Sequence, residues 1–290
     1  MINYSIIIPH KNIPALLQRC LNSIPRRKDV QIIVADDNSD ADKVDFARFP
    51  GLNDPFVEVI FGKNENGRNG AGYARNLGLG RAKGKWLIFA DADDFFMPCF
   101  RDVLDRCKDN ENEVIYFYVT SVDFETTEPG IRHIPTNERL DKIRQTDNWD
   151  VAFLLFTPWG KIIKRDLVER HNIQFQEVHC ANDVLFSAKV TNLSIKKEII
   201  SEVVYCISHR RNSLDDTSGL DSVILRFNVV CGASMYLKQY GKDKILHDCV
   251  FAYWRSIFLQ NKIKSFKYLA ECLQTVNGKR RHFRLPFTVT

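Results

Sequence analysis

Three short apolar runs constrain this chain most. "SIII" (5–8) stops at Pro9, "VQIIVA" (30–35) runs into Asp36 and Asp37, and "KWLIFA" (85–90) runs into Asp91, Asp93 and Asp94. Their apolar residues are nearly continuous, the mark of strands covered on both faces rather than one. "FVEVIF" (56–61) and "EVIYFYV" (113–119) add two β-rich runs. Between them lie helical stretches. Pro14 suits a first turn, with Leu17, Cys20, Leu21 and Ile24 following at helical spacing, and a small-residue helix is expected from about Ala71 to Ala82. Strand alternating with helix over the first 120 residues predicts an α/β fold with an open, mostly parallel sheet flanked by helices. Ligands of such sheets bind beyond the carboxyl ends of the strands. The five acids Asp36, Asp37, Asp91, Asp93 and Asp94 all fall at those ends, so one crevice is expected to gather them.

The pattern is mixed from Thr120 to Arg211 and nearly all helical beyond Leu220. We therefore expect a domain over 1–215, with halves 1–120 and 121–215, and a helical C-terminal extension over 216–290. Eight cysteines without a CxxC pair provide neither a zinc framework nor a dense disulfide scaffold. No stretch approaches the ~20 apolar residues that span a bilayer. Without a leader-like N-terminus, a cytoplasmic location is expected. The net charge of +5 is uneven: Arg255 to Thr290 carries eight Lys or Arg against Glu271, leaving −2 on the rest. An anionic partner should meet the protein at this tail, and no nucleic-acid partner is expected.

Three constellations bear on chemistry. Asp91, Asp93 and Asp94 repel one another unless something positive joins them. A hard divalent ion, Mg²⁺ or Mn²⁺, takes one or two carboxylates plus substrate phosphates. The plain alternative is an acidic turn capping a helix near Pro98; the strand that aims the acids favours the metal site. In "VADDNSD", Asn38 tolerates a left-handed turn, and Asp37 offers an acceptor for the imide N–H of a pyrimidine base, although the stretch alone is also good turn chemistry. In "GRNGAGYARNLGLGRAKG" (67–84), a helix start near Ala71 favours an anion and Arg75 projects toward it, while tight helix–sheet packing explains the glycines as well.

"SIIIPHKN", "VADDNSD", "GYARNLGLGRAKGKWLIFADADD", "PWGKIIKRDLV" and "HCANDVLF", in this order, resemble the motif series of family 2 glycosyltransferases, over about residues 3 to 190. The resemblance implies a GT-A fold and inverting transfer of a sugar from a nucleotide-diphosphate donor, expected to be UDP-linked, to a glycan or lipid-linked acceptor. It implies that Pro9 and Asp37 line the base, that Arg75 lies near the donor, and that Asp91 and Asp93 form the DxD motif, with Asp93 the more direct metal ligand. Asp183 is implied as catalytic base, where the residues alone suggest a helix-capping acid, and Trp159 and Lys161 as acceptor-side residues. His10 and Lys11 depart from the family's base-stacking aromatic, Asn38 from its turn glycine, and Asn182 from its frequent glutamate.

His209, Arg210 and Arg211 suit either a diphosphate clamp, with His209 alternatively completing a metal shell, or a solvated basic loop. The tail mixes Trp254, Phe258, Phe266 and Tyr268 with lysines. That composition fits peripheral contact with the inner membrane face as well as a solvated terminal helical pair. Two other functions compete with the transferase. A DxD phosphatase expects Thr or Val where Phe95 and Phe96 stand, and a non-catalytic sugar-nucleotide binder has no need of Asp183.

Overall fold

The computed structural model describes residues 1–63, 69–209 and 219–277, in two compact units, Met1–Arg211 and Asn212–Thr290. Among the described residues the first unit holds β1 (Tyr4–His10), β2 (Val30–Asp36), β3 (Val57–Phe61), β4 (Trp86–Phe89), β5 (Phe95–Phe96), β6 (Val114–Asp123), β7 (Lys161–Lys164) and β8 (Lys197–His209). They form one sheet in the order β3-β2-β1-β4-β7-β6-β8-β5. β1 pairs in parallel with β2 and β4, β2 with β3, and β6 with β8. β7 runs antiparallel between β4 and β6, and β5 antiparallel to β8.

Both faces of this sheet are covered, which accounts for the unbroken apolar runs. Ile6 and Ile8 of β1 enter one core cluster with Leu17 and Trp86. Ile7 enters the opposite cluster with Ile33, Leu87, Phe89 and Phe186. The first cluster is sealed by α1 (Pro14–Asn22) and α3 (Phe100–Cys107), the second by α4 (Ile134–Thr146), α5 (Arg165–Arg170) and α6 (Val184–Leu193). α2 (Ala71–Leu79) lies against β1 so closely that a Cβ on Gly78 would meet Ile7 Cγ2 at 2.4 Å. It ends at Gly80, short of the expected Ala82.

The chain passes from β1 outward to β2 and β3, then returns to the other side of β1 as β4. That reversal leaves a crevice at the carboxyl ends of β1, β2 and β4. The reversed β7 brings a further segment there. Ile162 opposes Ile88, so the residues just before it, Trp159 to Lys161, fall at the tip of β4.

The second unit contains α7 (Leu220–Lys238), α8 (His247–Gln260) and α9 (Lys262–Asn277), packed around Phe227, Cys231, Leu246, Val250 and Ile257. Against the expectation of no near-spanning stretch, α7 is long and apolar enough to cross a bilayer by length and composition, yet 44% of that window is buried by its own packing.

Candidate active site

The acids at the tips of β2 and β4 are held in different ways. At the tip of β2, Asp36 is buried and accepts His10 Nδ1–H at 2.7 Å, the Ser39 hydroxyl at 2.6 Å and the Ser39 amide at 2.9 Å. His10 Nε2 accepts the Ile13 amide at 3.1 Å, which leaves the ring proton on Nδ1. Burial raises the Asp36 carboxyl, but the bonds from His10 and Ser39 outweigh it and hold the group below the usual carboxylate range. His10 thus serves the loop, edge-on to Phe49 at 5.1 Å. Asn38 adopts the left-handed conformation expected of it, with φ 53°. Asp37 is buried, accepts the Gly70 amide at 2.8 Å and lies 3.5 Å from Lys11 Nζ; it ties the start of α2 to β2. Pro9 is buried in β1 beside Ala35.

At the tip of β4 the charges of Asp91 and Asp93 act on Asp94. Asp94 is buried, accepts the Ser208 amide at 2.8 Å, and is bonded by the Tyr205 hydroxyl. Burial first, then the charges of Asp93 and Asp91, push its carboxyl well above the usual range. Tyr205 in turn accepts the Asp91 amide at 2.8 Å, and its ring stacks on Trp159 at 5.9 Å. Arg19 reaches in from α1, donating to the Asp93 carbonyl and, at 2.6 Å, to the Ser208 hydroxyl.

Arg75 joins this tip to a second loop. Its buried guanidinium donates to Asp91 Oδ1 at 2.7 Å and to Asn182 Oδ1 at 2.6 Å, over the Phe175 ring at 5.4 Å. The Asn76 side chain clasps both the carbonyl and the amide of Phe175, at 3.0 and 2.9 Å. A Cβ on Gly72 would lie 2.1 Å from the Gln176 carbonyl, so α2 and this loop touch backbone to backbone. Ala181 sits at φ 56°, a left-handed strain for a residue with a Cβ, directly before Asn182 and Asp183.

Asp183 occupies the N-cap position of α6, yet its side chain makes no capping bond, contrary to what the residues alone suggest. Burial lifts its carboxyl to about 6, while Arg75 and Lys161 pull it back and Asp91 adds to the rise. Lys161 is buried, donates to the Leu155 carbonyl at 2.9 Å and lies over the Tyr116 ring at 5.4 Å. Burial brings its ammonium down to about 7, against the pull of Asp183.

The structure therefore brings together Asp91, Asp93, Arg75, Asp183, Lys161 and Trp159. Asp37 and Pro9 sit at neighbouring tips of the same sheet edge. His209 ends β8, its Nδ1 3.4 Å from Arg132 and its carbonyl accepting the Phe124 amide at 2.7 Å. Arg210 and Arg211 lie outside the described residues. Arg19, Asn76, Tyr205 and Ser208 were not singled out by sequence. Only Asn76, next to Arg75, lay inside a motif that pointed to it.

Among the described residues no group of three or more His, Cys, Asp or Glu converges to cage an ion. The oxygen donors at the β4 tip still suit a hard divalent cation. Burial, then the charges of Asp93 and Asp91, raise Asp94, and such ions commonly take one or two carboxylates, with phosphate and water completing the shell. Asp91 pairs with Arg75 at 2.7 Å.

Residues 5–171 match the model of Glycosyl transferase family 2. The chain is similar to the uncharacterized glycosyltransferase EpsJ of Bacillus subtilis, 26% identical over 221 residues, covering 73% of this chain and 62% of EpsJ. The chain thus spans less than two thirds of that relative. In fold it is similar to S. aureus TarS 1-349, solved in complex with UDP-GlcNAc: TM-score 0.70, 18% identity, 95% of this chain and 82% of that one. It is also similar to the mannosyltransferase PcManGT of Pyrobaculum calidifontis, solved with GDP-Man and Mn²⁺: TM-score 0.60, 17% identity, 97% of this chain and 76% of that one. The sheet with its reversed β7 is the GT-A fold, and the chain belongs to glycosyl transferase family 2.

Proposed function

We propose that the chain transfers a sugar from a nucleotide-diphosphate donor, UDP-linked, to an acceptor hydroxyl on a glycan or lipid-linked carrier, with inversion. The observation that carries this reading is Asp183: a half-buried carboxyl raised to about 6, at a helix start it does not cap, beside the Arg75–Asp91 pair. A base of that pKa is ionised at neutral pH and still basic enough to accept the acceptor's proton as its oxygen attacks. The charges of Arg75 and Lys161, both buried, keep its pKa from rising further. Asp37 and Pro9 are the base-side residues of the same sheet edge. Asp93 would hold Mg²⁺ or Mn²⁺, as the Mn²⁺ complex of PcManGT supports. When bound, that ion supplies charge neutralisation for the departing diphosphate.

The test is Asp183→Asn, assayed for transfer and for donor binding. Transfer should fall by roughly 10²- to 10⁴-fold, the usual contribution of a positioned base. Donor affinity should stay within about twofold, since the base acts on the acceptor. Equal losses of donor affinity and transfer would remove Asp183 from this role.

A further inference from the structure

The last described helix is built inside out. Along α9, Ser265, Cys272 and Thr275 are buried, while Ile263, Phe266 and Leu273 are 86%, 68% and 49% exposed. The inward polar groups need no water. Ser265 Oγ donates to the Lys262 carbonyl at 2.6 Å and Thr275 Oγ1 to the Glu271 carbonyl at 2.9 Å. The Ser265 carbonyl accepts Trp254 Nε1–H at 3.2 Å, and Tyr268 packs edge-on to Phe227 at 5.6 Å. The helix is thus anchored in its unit without Ile263, Phe266 and Leu273.

Ile263, Phe266, Ala270 and Leu273 recur at spacings of three and four, so they form one stripe. At 3.6 residues per turn, exposed Lys262 borders that stripe on one side and exposed Lys267 on the other. Glu271, the helix's single acid, projects well off it. α8 adds exposed Phe251 and Leu259 with exposed Arg255 between them in sequence.

We propose that this face of α9 lies on an anionic bilayer surface. Ile263, Phe266 and Leu273 enter the boundary between headgroups and acyl chains, and Lys262 and Lys267 meet the headgroup phosphates. Charge selects this occupant. A second copy docked on the same stripe would bring two lysine rims together, whereas anionic headgroups complement both rims. The four basic residues between 279 and 284 extend the same sign along the chain. The inference stands apart from the donor site and does not depend on it.

Co-sedimentation of the 290-residue chain with phosphatidylcholine vesicles, with and without about one-third phosphatidylglycerol, tests it. Partitioning onto the anionic vesicles should fall at least about tenfold in the double variant Ile263→Ser, Phe266→Ser. A loss on the order of tenfold is expected in Lys262→Glu, Lys267→Glu, and wild-type binding should weaken as salt rises. Unchanged melting temperature and circular dichroism show that the variants fold. Wild-type pelleting that is absent, or equal on neutral vesicles, overturns the proposal, as do variants that pellet like wild type. A dimer in sedimentation velocity that vanishes in Ile263→Ser, Phe266→Ser would put a second copy on the stripe instead.

Discussion

The tips of β2 and β4 carry the same sequence signature, an apolar strand running into aspartates, and the fold uses them in opposite ways. At β2 every named acid meets donors: His10 and Ser39 surround Asp36, and the Gly70 amide and Lys11 flank Asp37. These acids fasten loops. At β4 burial and the charges of Asp93 and Asp91 together raise Asp94, and Arg75 pairs with Asp91. A fold that leaves like charges facing each other carries a negative potential at that point, and a cation or a cation–diphosphate pair can relieve it. An acidic strand end is therefore informative only once its donors are counted.

The largest effect expected at the β4 tip is that of Asp93→Ala. If the β4 tip is the ion and diphosphate site, metal-dependent donor hydrolysis should drop by roughly 10²- to 10³-fold, with the melting temperature within a few degrees of wild type. Isothermal titration with Mn²⁺ and UDP, beside the hydrolysis assay, separates lost binding from lost chemistry. Retention of full metal-dependent turnover would mean that the two tips do not differ in kind.

Arg75→Met comes next and tests the link between the β4 tip and the base. It strands Asp91 and Asn182, both partners of one buried guanidinium. Breaking such a pair costs about 3 kcal/mol, read as a shift in urea midpoint. Because Arg75 lowers the Asp183 carboxyl, its removal should also move the acidic limb of the pH–rate profile above about 6. A limb that stays in place would detach Arg75 from the base.

The strands that form this edge were legible in the sequence because burial on both faces leaves a plain mark, an unbroken apolar run. Asp183 was placed through motif resemblance and Arg75 also by the helix start near Ala71, but their local chemistry was not legible. Asp183 reads as a helix cap from its position, and only its helical backbone and the missing side-chain bond to α6 show that its carboxyl does not cap. The reversal of β7 has no sequence mark either. "KIIK" is a short apolar run whose direction is set by neighbours 74 and 76 residues away, Ile88 against Ile162 and Leu87 against Ile163. Two-residue β5 is too short for periodicity to register, and it pairs with β8 more than a hundred residues on. Arg19 lies on the polar side of α1 in sequence and becomes a site neighbour only because that helix abuts β5 and the end of β8.

A smaller effect belongs to the β2 tip. Asp36→Asn turns one acceptor oxygen into a donor facing other donors, at a cost of about 2 kcal/mol. Donor affinity should change less than about twofold if this tip is a clasp. The wild-type contribution has a pH window. The Asp36 carboxyl is lowered in the folded chain, so its stabilisation is present above roughly pH 4 and lost as pH falls through the folded value. Denaturation midpoints of wild type and variant should converge in acid.

The smallest expected effect has the opposite sign. Asp183 titrates at about 6 in the folded chain, against roughly 3.9 for an unfolded aspartate. The folded state therefore holds this proton more tightly, and the associated stability is present below about pH 4 and lost as pH rises through about 6. Asp183→Asn removes that dependence. The group is only half-buried, so solvent screening trims the effect to about 1 kcal/mol. The variant should melt slightly above wild type at about pH 8 and level with it near pH 4. A base kept ionised against its surroundings makes this demand, whereas a helix-capping aspartate makes the reverse one. Thermal denaturation across that range distinguishes them, because a variant less stable than wild type at about pH 8 would return Asp183 to a structural role of the kind Asp36 has.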